Sequence, residues 1–176
     1  MKAERVRVYV WVSHIQSRSP GHAALQIERG TTPDAGYVSF APEVQGSVSG
    51  PGKFYDKSHD EKHYKGRGVW IGTIWGLDTV AMGEQLRKEY EGGMHYGARN
   101  ECATTVKRIL SIGGGDKLAS WWSRENVGPI SPDDVEDFPR SIVEKTKPNG
   151  SYSEKINGVG TTMFSKESQP KLRSRN

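Results

Sequence analysis

The sequence predicts an α+β domain in which a small antiparallel sheet packs against about three helices. Two observations carry this expectation. Residues 5–12 and 22–28 alternate between faces with the period of a strand, and shorter strand-like runs follow at 37–40 and 69–75. From residue 78 onward the apolar spacing lengthens to that of helices, with start and stop residues in place. Strands come first, helices last, and no internal repeat interrupts that order.

In residues 5–12, Val6, Val8, Val10 and Val12 alternate with Arg5, Arg7, Tyr9 and Trp11, which gives one aliphatic and one polar-to-aromatic face. A turn-prone stretch ending in Pro20-Gly21 follows. The next strand, 22–28, places His22, Ala24, Gln26 and Glu28 on one face and Ala23, Leu25 and Ile27 on the other. Gly, Pro and Asp in residues 29–36 form a turn, and a short third strand spans 37–40, closed by Pro42. Residues 43–68 carry several glycines among charges and histidines, and read as a long irregular loop. Residues 69–75 make a fourth strand.

Asp78 caps the next helix, where Met82, Leu86 and Tyr90 recur every four residues and Gly92-Gly93 provides the stop. A second helix begins near Cys102 with Asn100 as N-cap; its stripe is Val106, Ile109 and Leu110, and Gly113, Gly114 and Gly115 end it. Trp121 and Trp122 offer an apolar anchor. Ser131-Pro132-Asp133-Asp134 opens a third helix, with a serine cap, proline in the first position and acids in the first turn. Beyond residue 145 the apolar pattern disappears, so the chain divides into one domain over 1–145 and a poorly ordered polar, basic tail over 146–176.

Composition narrows the functional classes. Hydrophobic residues make up 34 % of the 176 and charged residues 26 %. No apolar run approaches the roughly 20 residues of a membrane helix. The basic N-terminus lacks an uninterrupted apolar stretch and a cleavage site, so no secretory signal is expected. A single cysteine makes no internal disulfide. The net charge of +4 is spread among acids, whereas a nucleic-acid binder wants a dense basic patch. A cytoplasmic protein, or one secreted by a signal-peptide-independent route, fits these features. Nothing in them sets an oligomeric state.

Chemistry centres on Cys102. A thiol in a helix's first turn lies among unpaired N–H groups at the positive end of the macrodipole, which favours the nucleophilic thiolate. The competing reading is a small buried hydrophobe. A cysteine nucleophile needs a base within hydrogen-bond reach. Among five histidines, His22 is best placed, at the mouth of a strand directly after Pro20-Gly21; His95 is the second choice. His59-Asp60-Glu61-Lys62-His63 resembles a zinc-protease helix motif with its glutamate one position late, so it reads as a solvated charged loop without metal. The triple glycine follows a helix instead of a strand, so it does not cradle a phosphate. The Gly46-Ser47-Val48-Ser49-Gly50 run lacks the nucleophile-elbow pattern.

Three segments together carry a resemblance: residues 21–27 (GHAALQI), residues 37–42 (YVSFAP), and Asn100-Glu101-Cys102-Ala103 opening a helix. They resemble circularly permuted papain-like proteins of the NlpC/P60 superfamily, particularly toxin- and effector-like branches, in which the histidine strand precedes the cysteine helix. The resemblance implies Cys102 as nucleophile, His22 as general base and Ser39 as the orienting third residue, with Gln26 as the alternative. The chain departs from the family pattern at Glu101, an anion between Asn100 and Cys102 that opposes the helix dipole. The implied activity is a cysteine-dependent hydrolase or acyltransferase acting on an amide (peptide, glutamine side chain or peptidoglycan) or an ester, without a cofactor. The substrate would be a protein or peptidoglycan. The other class left open is a non-catalytic interaction domain on the same fold that binds a protein partner through 43–68 and the tail.

Overall fold

The computed structural model describes residues 4–11, 21–28, 36–97 and 101–118. The architecture is α+β, with two antiparallel sheets and four helices among the described residues. Strands β1 (Arg5–Trp11), β2 (His22–Glu28), β3 (Tyr37–Val38) and β6 (Val69–Trp75) form one sheet in the order β3-β2-β1-β6. Strands β4 (Phe40–Pro42), β5 (Gly50–Phe54) and β7 (His95–Tyr96) form the second. The helices are α1 (Lys57–His63), α2 (Thr79–Gly92), α3 (Cys102–Ile112) and α4 (Gly115–Leu118). No helix among the described residues is long and apolar enough to cross a membrane.

The alternation in β1 and β2 decides which surface each sheet face meets. Val6, Val8 and Val10 join Ala23, Leu25 and Ile27 in the main core, together with Met82 and Leu86 of α2 and Ala103, Val106, Ile109 and Leu110 of α3. The opposite face carries a second cluster of Tyr9, Trp11 and Ala24, with Tyr37, Tyr64, Val69 and Ile71 packed against it. The register pairs Trp11 with His22 and Val8 with Leu25, so the two strands agree in which side chains they bury. At the sheet's outer end Glu28 takes ion pairs from Arg5 and Arg7.

Three expectations change. Residues 43–68 are not a long irregular loop: β5 and α1 lie within them. Strand β5 opens Gly-Pro-Gly, which hides it from propensity, and its glycines answer to packing. A Cβ at Gly52 would collide with the Phe40 ring and lie 2.9 Å from the Met94 carbonyl. Helix α1 has no apolar stripe; Asp60 is its buried residue, and Asp56 caps it by accepting from the His59 N–H at 2.7 Å. Second, the run at 37–40 is two strands broken at Ser39, one in each sheet. The Ser39 carbonyl accepts from the Tyr55 N–H at 2.8 Å, which ties the break to the end of β5. Third, Glu101, not Asn100, is the residue preceding α3, in extended conformation and without a side-chain cap hydrogen bond. Asn100, the two turns at 12–20 and 29–35, the Trp121-Trp122 anchor, the helix from Ser131 and the tail lie outside the described residues.

Helices α2 and α3 are joined by a polar clasp as well as by the core. Arg108 donates to both carboxylate oxygens of the buried Glu89, at 2.7 and 3.1 Å, and Gln85 donates to the same carboxylate at 3.0 Å. Planar pairing of this kind fixes the rotation of one helix against the other.

Candidate active site

His22 begins β2, so its ring stands at the end of the sheet, beside Trp11 of the aromatic cluster. It is 3 % exposed. At that end three segments converge on it: the break between β3 and β4, helix α1, and the first turn of α3.

One edge of the ring is held by two oxygens. The His22 Nε2 lies 2.8 Å from the Ser39 hydroxyl and 3.4 Å from Asp60 Oδ2. Ser39 is fully buried and Asp60 is 1 % exposed. The Asp60 carboxylate is otherwise satisfied from several directions: the Tyr37 hydroxyl donates to Oδ2 at 2.8 Å, and His59 Nδ1 lies 3.2 Å from Oδ1. A buried carboxylate with such a set of partners is an anchored charge, because removing its donors would leave it unsolvated.

The thiol of Cys102, 6 % exposed, reaches His22 from the helix side and interacts with it both as a charge and as a side-chain hydrogen-bond partner. Burial pulls the imidazole down, but the negative charge of Cys102 and the bond to Asp60 outweigh it, and the His22 pKa is pushed up to about 9. Burial likewise pushes the Asp60 carboxyl up, and its hydrogen bond and charge interaction with His22 more than reverse that, so Asp60 is held below its ordinary value. The two directions agree: the buried arrangement favours imidazolium beside carboxylate.

Aromatic rings close the remaining sides. Trp11, opposite His22 across the β1–β2 pair, has its centroid 5.5 Å from the imidazole. Tyr64, the residue that caps the end of α1, stacks on His22 at 4.8 Å with only 13° between planes. On the second sheet, burial and then the Cys102 charge push the Tyr96 phenol up to about 12.

The structure thus brings Cys102, His22 and Ser39 together. Gln26 is elsewhere, on the Tyr9 hydroxyl at 3.0 Å. His95 is exposed on β7. The buried side chain that sequence reasoning misses is Asp60, which in the sequence is one charge in a run that reads as solvated. The signal that could have found it is local: Asp56 as a helix cap, with Asp60 and Tyr64 each one turn further on. Among the described residues no group of three or more His, Cys, Asp or Glu side chains is placed to hold a metal ion. In comparisons with known proteins, no family model matches the chain, and no curated protein and no solved structure is significantly similar to it.

Proposed function

We propose that the chain is a cysteine-dependent hydrolase or acyltransferase, a permuted papain-like member of the NlpC/P60 superfamily in a toxin- or effector-like branch. The observation that carries this reading is the buried His22, gripped at Nε2 by Ser39 and Asp60 while it interacts with the Cys102 thiol at the start of α3. A nucleophile, a base and an anion that orients the base are the three parts of this chemistry. Asp60 joins the expected set as an orienting residue, with Ser39 bridging.

With Nε2 engaged, Nδ1 is the ring nitrogen left for the thiol. The Cys102 thiolate attacks the carbonyl carbon of an amide or ester and forms the C–S bond. The first-turn amides of α3, which have no partner within their own helix, would donate to the oxyanion. The tetrahedral species collapses, the bond from carbon to the leaving nitrogen or oxygen breaks, and the His22 imidazolium delivers its proton to that atom. Water, deprotonated by His22, then attacks the thioester; the C–S bond breaks and the thiolate–imidazolium pair returns. An amine or alcohol in place of water gives transfer. Protein or peptidoglycan amides are the proposed substrates, met in the cytoplasm or reached by signal-independent export.

A second reading, a non-catalytic interaction domain, draws on exposed Val44 and Val48 in the turn between β4 and β5. Iodoacetamide alkylation separates the two. Single-site modification of Cys102 that His22→Ala slows at least tenfold supports the reactive pair; equal rates in the two proteins would overturn it. Toxicity of wild type against Cys102→Ala, on cytosolic and on periplasmic expression, then locates the target.

A further inference from the structure

Helix α1 reaches the imidazole twice. Asp60, in its middle, meets the edge of the ring; Tyr64, one turn later and just past its end, lies over the face. The Tyr64 ring is nearly parallel to both His22 and Trp11, at 4.8 and 5.1 Å between centroids and with 13° and 28° between planes. Trp11 and His22 are cross-strand neighbours, so Tyr64 forms a roof across the pair. An aromatic face carries negative potential and attracts a cation placed over it, most strongly where water is excluded. His22 is such a position, because its exposure is 3 %.

We infer that Tyr64 is a positioning residue for the Cys102–His22 pair: its ring face holds the imidazole in the plane that Ser39 and Asp60 require, and favours the charged imidazolium over the neutral ring. This rests on the catalytic reading above. The phenol itself stays neutral, because burial and the nearby Cys102 and Asp60 charges push it well above its ordinary value. The role belongs to the ring and not to the hydroxyl. The groups facing His22 are Asp60 and Tyr64 from the α1 segment, Ser39 from the β3–β4 break, Cys102 from α3 and Trp11 from β1. His63 is also within electrostatic range, and burial with the neighbouring cationic groups holds it below its ordinary value. Arg67 stands over the Tyr64 ring at 5.1 Å.

The test reads His22 directly by NMR titration of labelled histidine, and in parallel the pH profile of Cys102 alkylation, in the full chain. Tyr64→Phe keeps the face and is expected to leave both unchanged. Tyr64→Leu removes the face, and the His22 acid dissociation constant should rise about tenfold, with the alkylation profile moving to lower pH on its alkaline side. Should Tyr64→Leu fail to fold, fluorinated phenylalanines at position 64 weaken the negative face at nearly constant shape; the titration should then move stepwise with fluorine number. Unchanged titration in folded Tyr64→Leu, or across the fluorinated series, overturns the inference. The catalytic reading fails separately: wild-type alkylation would then be indifferent to His22→Ala whatever Tyr64 does.

Discussion

Asp60 is the side chain on which the site depends most. It is buried, it is charged, and four other side chains depend on where it lies. Asp60→Asn keeps the shape and removes the charge. His22 then loses one of the two partners, with Cys102, that offset its burial, so its titration should move down and Cys102 alkylation at neutral pH should slow by about tenfold or more. The stability cost should be about 1–3 kcal/mol by urea denaturation, the penalty of imperfectly satisfied buried groups. Ser39→Ala is milder. It removes the 2.8 Å contact but leaves Asp60 facing the same nitrogen, so a loss of about 1 kcal/mol and a smaller rate effect are expected. A larger kinetic defect in Ser39→Ala than in Asp60→Asn would reverse the ranking of the two.

Among the elements, those that bury apolar side chains at a regular period were legible from the sequence: β1, β2, β6, α2 and the stripe of α3. The faces of β1 and β2 lie where alternation places them, His22 included. Elements that bury something else were not legible. Helix α1 shows no stripe because what it turns inward is a carboxylate. Strands β4 and β7 span three and two residues, too few for a period to register, and β5 starts with Gly-Pro-Gly. Its glycine has a measurable consequence. Gly52→Ala would press a methyl onto the buried Phe40 ring and toward the Met94 carbonyl, so about 1–3 kcal/mol of destabilisation is expected in thermal or urea unfolding. Between α2 and α3, Arg108→Met should cost a similar about 1–3 kcal/mol, because Glu89 loses its paired donors while still mostly buried. Adding Glu89→Gln to that variant should recover part of the loss in a double-mutant cycle.

For the molecule as a whole, the two coupled charges set a pH window. His22 is raised from its ordinary 6.5 to about 9, so its stabilising contribution is complete below pH 6.5 and is lost as the pH climbs toward about 9. Asp60 is lowered from 3.8, so its contribution is present above that value and disappears as the pH falls through the lower folded one. Urea midpoints measured across pH should therefore show a plateau from roughly pH 4 to 6.5 with a decline on the alkaline side. In His22→Gln that alkaline decline should flatten; a slope identical to wild type would mean that another group carries it.

Helix α1 has seven residues, about half of what an isolated helix needs to persist in water. It is kept in place by the very contacts that serve the imidazole. Under the proposed chemistry, readiness to react would therefore follow local opening of α1 as well as global unfolding. Amides of residues 57–63 should exchange with deuterium at a lower opening free energy than those of β1 and β2. Under the proposed cysteine chemistry, opening of α1 alone would withdraw both Asp60 and Tyr64 from His22 and leave the pair without its support.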